Sequence, residues 1–315
     1  MKHSKIISLV LSLVLLATFF SGCSDSASST QPTATAVTVT DMMGREIIFD
    51  APATKIVALS PSDCEILCAL GMESALVGRG EYCDFPSEIT SVPSVQTGAE
   101  TNLEQIIALA PQVVLMATMA QTKEQVSALE KAGIKVVVSD AKDIDGVYAA
   151  IELIGSITGK STEAETVVSG MKKTFSDVSA KATGDGSKTV YFEVSPLEYG
   201  LWTAGSGTFM DELATMLGLK NAFSDINGWA EISEEQVIER DPDYIVTIAM
   251  ESIDGMSPEQ EIAGRDGWQG LKAVHNNAIF NVDSNEISRP GPRLSEAAET
   301  LYTFVYETMA DKQTA

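Results

Sequence analysis

Short runs of β-branched and apolar residues fall over 37–40, 46–49, 56–59, 113–116 and 136–138, and each reads as a strand. Between them, 62–70, 103–109, 123–132 and 144–155 carry apolar residues at three- and four-residue spacing, and each reads as a helix. A longer helix is predicted over 162–181. Its apolar stripe is Ala164, Val167, Val168, Met171, Phe175 and Val178, and Thr162 with Glu165 has the form of a capping box. Gly184-Asp185-Gly186 breaks it. The alternation then resumes with strands over 189–193, 244–247 and 278–281 and helices over 209–217 and 294–309. Strands and helices alternating at this spacing predict a mostly parallel sheet with helices on both faces. The pattern as a whole predicts two α/β lobes joined by a single long α-helix, with boundaries at 37–160, 161–183 and 184–315.

A repeat supports two equivalent lobes. Residues 102–115 (NLEQIIALAPQVVL) and 233–246 (SEEQVIERDPDYIV) align without gaps and share Glu, Gln, Ile and Pro. Each reads as an N-cap (Asn102, Ser233), a short helix, a proline-containing turn and a buried strand.

The N-terminus changes the picture from a plain soluble chain. Lys2 and Lys5 precede an apolar run over 6–20, and Ser21-Gly22-Cys23 follows. This is a basic, apolar and small-residue leader, too short for a span of roughly 20 residues. The site resembles a bacterial lipobox, in which Cys23 is lipidated and becomes the first mature residue; Phe20 stands where that pattern usually has leucine. Removal of 1–22 leaves a Ser-, Thr-, Ala- and Pro-rich segment over 23–36 that reads as a flexible tether. The protein is therefore expected to sit outside the cytoplasm, anchored by lipid to the outer face of the cell membrane.

The chain of 315 residues carries a net charge of −23, and loss of Lys2 and Lys5 makes the mature form more acidic. Such a field argues against nucleic acid as a partner. Three cysteines remain in the body, Cys64, Cys68 and Cys83, in neither zinc-ribbon nor C-x-x-C spacing, and they read as small buried hydrophobes. A bridge from Cys83 to one of the others stays open. The body holds one histidine, His275, so a zinc or manganese site is not expected. No G-x-S-x-G elbow occurs, and Gly205-Ser206-Gly207-Thr208 lacks the P-loop lysine, so it reads as an N-capping turn, with a ligand-facing backbone nest as the alternative. The chain is expected not to be an enzyme and to need no cofactor.

Four segments in order carry a family resemblance: Thr40-Asp41-Met42-Met43-Gly44-Arg45, Lys55-Ile56-Val57-Ala58-Leu59-Ser60-Pro61-Ser62, the 102–111 segment and its 233–242 counterpart. With them the chain resembles the helix-hinged (class III) substrate-binding proteins of ABC importers for cobalamin, ferric siderophores and haem. The resemblance implies two Rossmann-like lobes facing across a ligand cleft. It implies a monomer that delivers a small molecule to a permease and its ATPase. It also implies permease docking through one exposed glutamate per lobe, here Glu104 and Glu235.

The loops that would form such a cleft are 60–63, 80–85, 117–121, 195–208, 227–230 and 283–293. They hold Tyr82, Phe85, Tyr199, Trp202 and Trp229, which suits a large, planar, partly apolar ligand. Tyr82-Cys83-Asp84-Phe85-Pro86 is similar to a loop of the cobalamin-binding branch whose tyrosine contacts the corrin. Trp229 matches a corrin-contacting tryptophan, and Asp283 with Glu286 falls on the segment bearing an acidic contact. Small residues near 97–99 and 117–118, where that branch often has aromatics, depart from it. A ferric siderophore is the main rival, with Arg79, Arg289 and Arg293 as cations for an anionic ligand. Haem ligated through Tyr82 or Tyr199 is a third reading.

Overall fold

The computed structural model describes residues 36–117, 122–249 and 255–310. The predicted leader, Cys23, nearly all of the tether and the loop 118–121 lie outside the described residues. The body opens with a hairpin of β1 (Val37–Thr40) and β2 (Glu46–Phe49). Asp41 organises its turn, accepting from the N–H groups of Met43 and Arg45 at 3.0 and 2.9 Å and from the Arg45 guanidinium. It also accepts from the Val138 N–H, while Arg45 donates to the Val136 carbonyl. The 40–45 motif is thus a structural clasp on the sheet edge.

The first sheet is built from β3 (Ile56–Ala58), α1 (Pro61–Ala69), β4 (Leu76–Gly80), β5 (Ser94–Val95), α2 (Leu103–Ala108), β6 (Val113–Met116), α3 (Lys123–Lys131), β7 (Lys135–Val138) and α4 (Ile144–Thr158). Its strands are all parallel, in the order β5-β4-β3-β6-β7. Strand β4 escaped the sequence pattern because two glycines interrupt its apolar run. Gly80 is required there, since a Cβ would come within 2.4 Å of the Leu59 carbonyl oxygen.

The long helix α5 (Ser161–Lys181) follows after Gly159, whose φ of 70° ends α4. The predicted capping box of Thr162 and Glu165 is not formed. The chain turns straight from Gly159 into the helix, so Thr162 already has helical backbone, whereas a cap needs an extended one. The N-cap is Lys160, which makes no side-chain cap bond. The predicted stripe holds: Ala164, Val168, Met171, Phe175 and Val178 are buried, and Val167 is half-buried.

The second sheet uses β8 (Thr189–Ser195), β9 (Trp202–Ala204), α6 (Phe209–Met216), β10 (Lys220–Asn221), β11 (Trp229–Glu231), α7 (Glu234–Arg240), β12 (Tyr244–Thr247), α8 (Pro258–Gly264), α9 (Lys272–His275), β13 (Ile279–Asn281), α10 (Ser284–Ile287) and α11 (Leu294–Tyr302). The order is β11-β9-β8-β12-β13, with β10 also on β8; β9 and β11 run antiparallel. Their three-residue length is below what alternation can reveal, so Trp202 and Trp229, expected on loops, lie on strands. The last helix, predicted unbroken over 294–309, changes to a π-helical stretch at Thr303–Thr308.

The repeat occupies equivalent places. β6 lies between β3 and β7, and β12 between β8 and β13. Asn102 Oδ1 accepts from the Gln105 N–H and Ser233 Oγ from the Gln236 N–H. Ala110 and Asp241 then take matching left-handed conformations, φ 48° and 44°, each just before a proline.

Candidate ligand-binding site

A cavity of about 330 Å³ lies at the carboxyl ends of the parallel strands of both sheets, where loops leave α/β sheets free to shape a site. From the first half come Ser60 and Ser62 after β3, Ala117 after β6, and Ser139 and Asp140 after β7. From the second come Val194 on β8, Ile248 after β12, Phe209 at the start of α6, Trp229 on β11, and Ser288 with Pro290. The halves are tied beside it. The Phe209 N–H donates to the Lys142 carbonyl at 3.0 Å, and the Ile144 N–H to Glu212 Oε2 at 2.6 Å.

One wall is polar. Ser60 Oγ and Ser62 Oγ are 2.7 Å apart, and Ser139 Oγ donates to Asp63 Oδ1 at 2.5 Å. Asp63 is buried on α1, and its Oδ2 has no protein partner. Burial pushes its carboxyl up to about 7; the Ser139 hydroxyl pulls against this and the nearby Asp140 charge adds to it.

Among the predicted ligand aromatics, Trp229 lines the cavity, its ring tilted on Phe209 with centroids 5.4 Å apart. The register pairs Trp229 with Ala204 and Glu231 with Trp202, so both tryptophans project from one face of the β9–β11 ribbon. They are 38% and 40% exposed, large fractions for indoles on a packed sheet. Tyr82 and Tyr199 are more exposed still, on the 80–86 loop and the Leu197–Tyr199 turn. Phe85 is different. The Arg293 guanidinium lies over its ring at 4.0 Å, so one face is already taken.

The arginines differ most from expectation. Arg79 donates to the carbonyls of Gly80, Cys83, Ile89 and Thr90, and so holds the 80–90 loop. Arg289 donates to Glu65 at 3.0 Å, Asp84 at 2.8 Å and the Tyr82 carbonyl. Arg293 clamps Glu65 with bonds of 2.9 and 2.7 Å. Burial opposes the Arg293 charge, but the Glu65 carboxylate outweighs it and its pKa is raised. These contacts take all three out of the set of cations available to an anionic ligand. They also tie the 283–293 segment to α1 and to the Tyr82 loop.

Asp283 N-caps α10 through the Asn285 N–H. Glu286, in the first turn, has its carboxyl raised by burial and by the charges of Asp283 and Glu296. The Gly205–Thr208 turn is a cap: Thr208 Oγ1 accepts from the Asp211 N–H, and the Gly205 and Ser206 N–H groups bond the Gly228 and Ile226 carbonyls. His275 is exposed at the end of α9 and is not among the cavity residues. Among the described residues no group of three or more His, Cys, Asp or Glu could hold a metal ion.

Glu104 and Glu235 are exposed in the first turns of α2 and α7. The structure adds a feature the repeat did not suggest. Ile107 and Ile238, one turn after each glutamate, are 43% and 38% exposed. Asp63, Glu65 and Ser139 were also missed as individual residues. The available signal was a pair of carboxylates inside the apolar α1 sequence.

The arrangement of two sheets around one cavity has a counterpart among known proteins. The profile of the periplasmic binding protein family matches residues 56–286. The chain belongs to this family. Its members are substrate-binding transport proteins and not enzymes, and this chain is a substrate-binding component of an ABC importer. An uncharacterized ABC transporter substrate-binding lipoprotein of Bacillus subtilis is 33% identical over 93% of this chain and 95% of its own length. A vitamin B12-binding protein of Salmonella typhi is 28% identical over 79% of this chain and 89% of its own. Among solved structures, a possible iron-binding (periplasmic solute-binding) protein of Staphylococcus epidermidis superposes with a TM-score of 0.69 at 29% identity, covering 81% of this chain and 99% of that one. The periplasmic vitamin B12-binding protein of Vibrio cholerae (TM-score 0.69, 23% identity, 84% and 99% covered) and a periplasmic haem-binding protein of the same organism (0.72, 21%, 80% and 99%) share the fold. Among the described residues no helix is long and apolar enough to cross a membrane.

Proposed function

We propose that this protein captures cobalamin or a related corrinoid outside the cytoplasm and delivers it to its permease. The observation that carries the ligand class is the pairing of exposed indoles with committed arginines. Trp229 lines the cleft and the exposed Trp202 projects from the same face of its ribbon, while Arg79, Arg289 and Arg293 are spent on carbonyls and carboxylates. Such a site favours a planar, weakly charged ligand over a polyanion. The vitamin B12-binding relative supports the same class.

The cavity of about 330 Å³ seats only part of a corrinoid. The rest would lie on the exposed rings of Tyr82, Tyr199 and Trp202, with Asp283 and Glu286 at the edge of the 283–293 wall. A ferric siderophore is the second reading, favoured by the iron-binding neighbour from Staphylococcus; it requires Arg289 or Arg293 to exchange a protein carboxylate for the ligand. Glu104 and Glu235 dock the permease, each with an adjacent apolar contact, Ile107 or Ile238. Cys23 carries the lipid anchor, the chain acts as a monomer, and lobes over 37–160 and 184–315 move about the 161–183 helix.

Calorimetric titration of residues 37–315 with cyanocobalamin, and with a ferric siderophore and haemin in parallel, tests the ligand. Cobalamin binding that weakens about tenfold or more in Trp229→Ala is expected, a loss of about 1.4 kcal/mol. Tight siderophore binding with no cobalamin binding overturns the corrinoid reading.

A further inference from the structure

Two of the three body cysteines converge on one atom. Cys64 Sγ lies 3.7 Å and Cys83 Sγ 3.9 Å from the carbonyl oxygen of Ala58. One arrives from the first turn of α1, the other from the loop after β4, and neither side chain is exposed to solvent. The two thiols also meet each other: a hydrogen bond that the Cys64 thiol donates to Cys83, and then burial, holds Cys64 well above its ordinary pKa. Cys68 is the odd one out. It is half-buried one turn further along α1, and burial, followed by the Glu73 and Glu65 charges, pushes it up to about 12.

Two buried thiols in mutual contact, on segments adjacent in space but separated in sequence, have the placement of a cross-link. An exported chain folds where disulfides form and persist. We propose that Cys64 and Cys83 form a disulfide in the exported protein, made during folding, which pins the ligand-facing 80–86 loop to α1.

The bond forms before burial closes the site, while both sulfurs are accessible. One cysteine thiolate attacks a sulfur of a small-molecule or protein disulfide, expelling a thiolate and leaving a mixed disulfide. The second cysteine attacks the protein sulfur of that bond and expels the other thiolate. The oxidant ends as two thiols, having taken two electrons from the pair, and the two protons pass to the released thiolates. The cross-link closes a loop containing β4 and the turn before it. It fixes the base of the segment carrying Tyr82, Asp84 and Phe85, opposite Glu65 and its two arginines. Arg79 already holds the same loop through the Cys83 carbonyl at 2.8 Å. The cross-link replaces a soft contact between thiols with a covalent one at that anchor. This inference stands on the cysteines alone and holds whichever ligand binds.

The test uses protein exported by its host, and the same protein reduced, unfolded and refolded with glutathione disulfide. Each is denatured, alkylated and mapped by mass spectrometry. The expected result is one cross-linked species joining the Cys64 and Cys83 peptides, lighter by two hydrogens than the reduced pair, with Cys68 alkylated. Separate alkylated Cys64 and Cys83 peptides in both preparations, or a cross-link through Cys68, overturn the proposal. Hydrogen exchange then tests the pinning, without a variant that has to fold. The amides of 81–85 should exchange roughly tenfold more slowly in the oxidised than in the dithiothreitol-reduced wild type. Equal exchange in the two forms rejects the pinning.

Discussion

At the residue scale, Asp63 shows how a buried acid couples the cleft wall to stability. Its carboxyl rises from an ordinary 3.8 to about 7 on folding. The folded protein therefore holds a proton that the unfolded chain has released throughout that interval. Its contribution to stability is full below about pH 4 and is lost as the pH rises toward 7, by at most about 1.4 kcal/mol per pH unit. Asp63→Asn removes the titration while keeping the shape. Urea unfolding at about pH 5 and about pH 8 should show the wild type losing more stability over that range than the variant. Equal losses in both would place the titration elsewhere. Trp229 belongs to the same scale: its residue type and its place in the 227–230 segment marked it in the sequence, whereas the identity of its ring partner, Phe209, came from packing across the second half.

At the scale of elements, the second sheet is held by a buried ion network on its central strand. Arg265 donates to Glu193 on β8 at 2.7 and 2.9 Å and to Glu261 on α8 at 2.6 Å, with its guanidinium over the Trp268 ring at 4.6 Å. Burial raises the Glu193 carboxyl, and the arginine works against that rise. Arg265→Met leaves two carboxylates facing an apolar core without their cation. We expect a loss of about 3–5 kcal/mol in denaturant unfolding, because breaking one side of a buried pair strands the other. A double change, Arg265→Met with Glu193→Leu, should recover part of that loss if the stranded charge is its cause. None of this network was legible in the sequence, where Arg265 stands between Gly264 and Asp266 like any surface arginine.

At the scale of the whole molecule, the matched helices α2 and α7 present two equivalent exposed surfaces. Their first-turn glutamates and exposed isoleucines recur at the same positions of the repeat. Charge pairs at two separated points fix orientation as well as attraction. Reversing Glu104 and Glu235 to lysine together should abolish uptake in whole cells while calorimetry shows ligand affinity within about twofold of wild type, less than 0.5 kcal/mol. Changing Ile107 and Ile238 to serine should weaken coupling to the permease in the same assay, again with ligand affinity retained. Uptake at the wild-type rate in the glutamate double variant would remove the docking role.

The sequence by itself determined the α/β class, the long helix and its buried stripe, and the two copies of the cap-helix-proline-strand unit. These are local: periodicity, capping chemistry and proline placement act within a few residues, and a linear pattern records them. It missed β4, β9 and β11, because glycine and three-residue lengths erase periodicity, and it assigned α5 a capping box that does not form, where Gly159 decides the entry. What only the tertiary structure decided is which charges are satisfied. Arg289 and Arg293 meet Glu65 more than 200 positions away in sequence, and Arg79 spends its donors on loop carbonyls. A chain read linearly sees three free cations where the folded molecule pairs Arg289 and Arg293 with carboxylates and ties Arg79 to loop carbonyls, because the partners are neighbours in space.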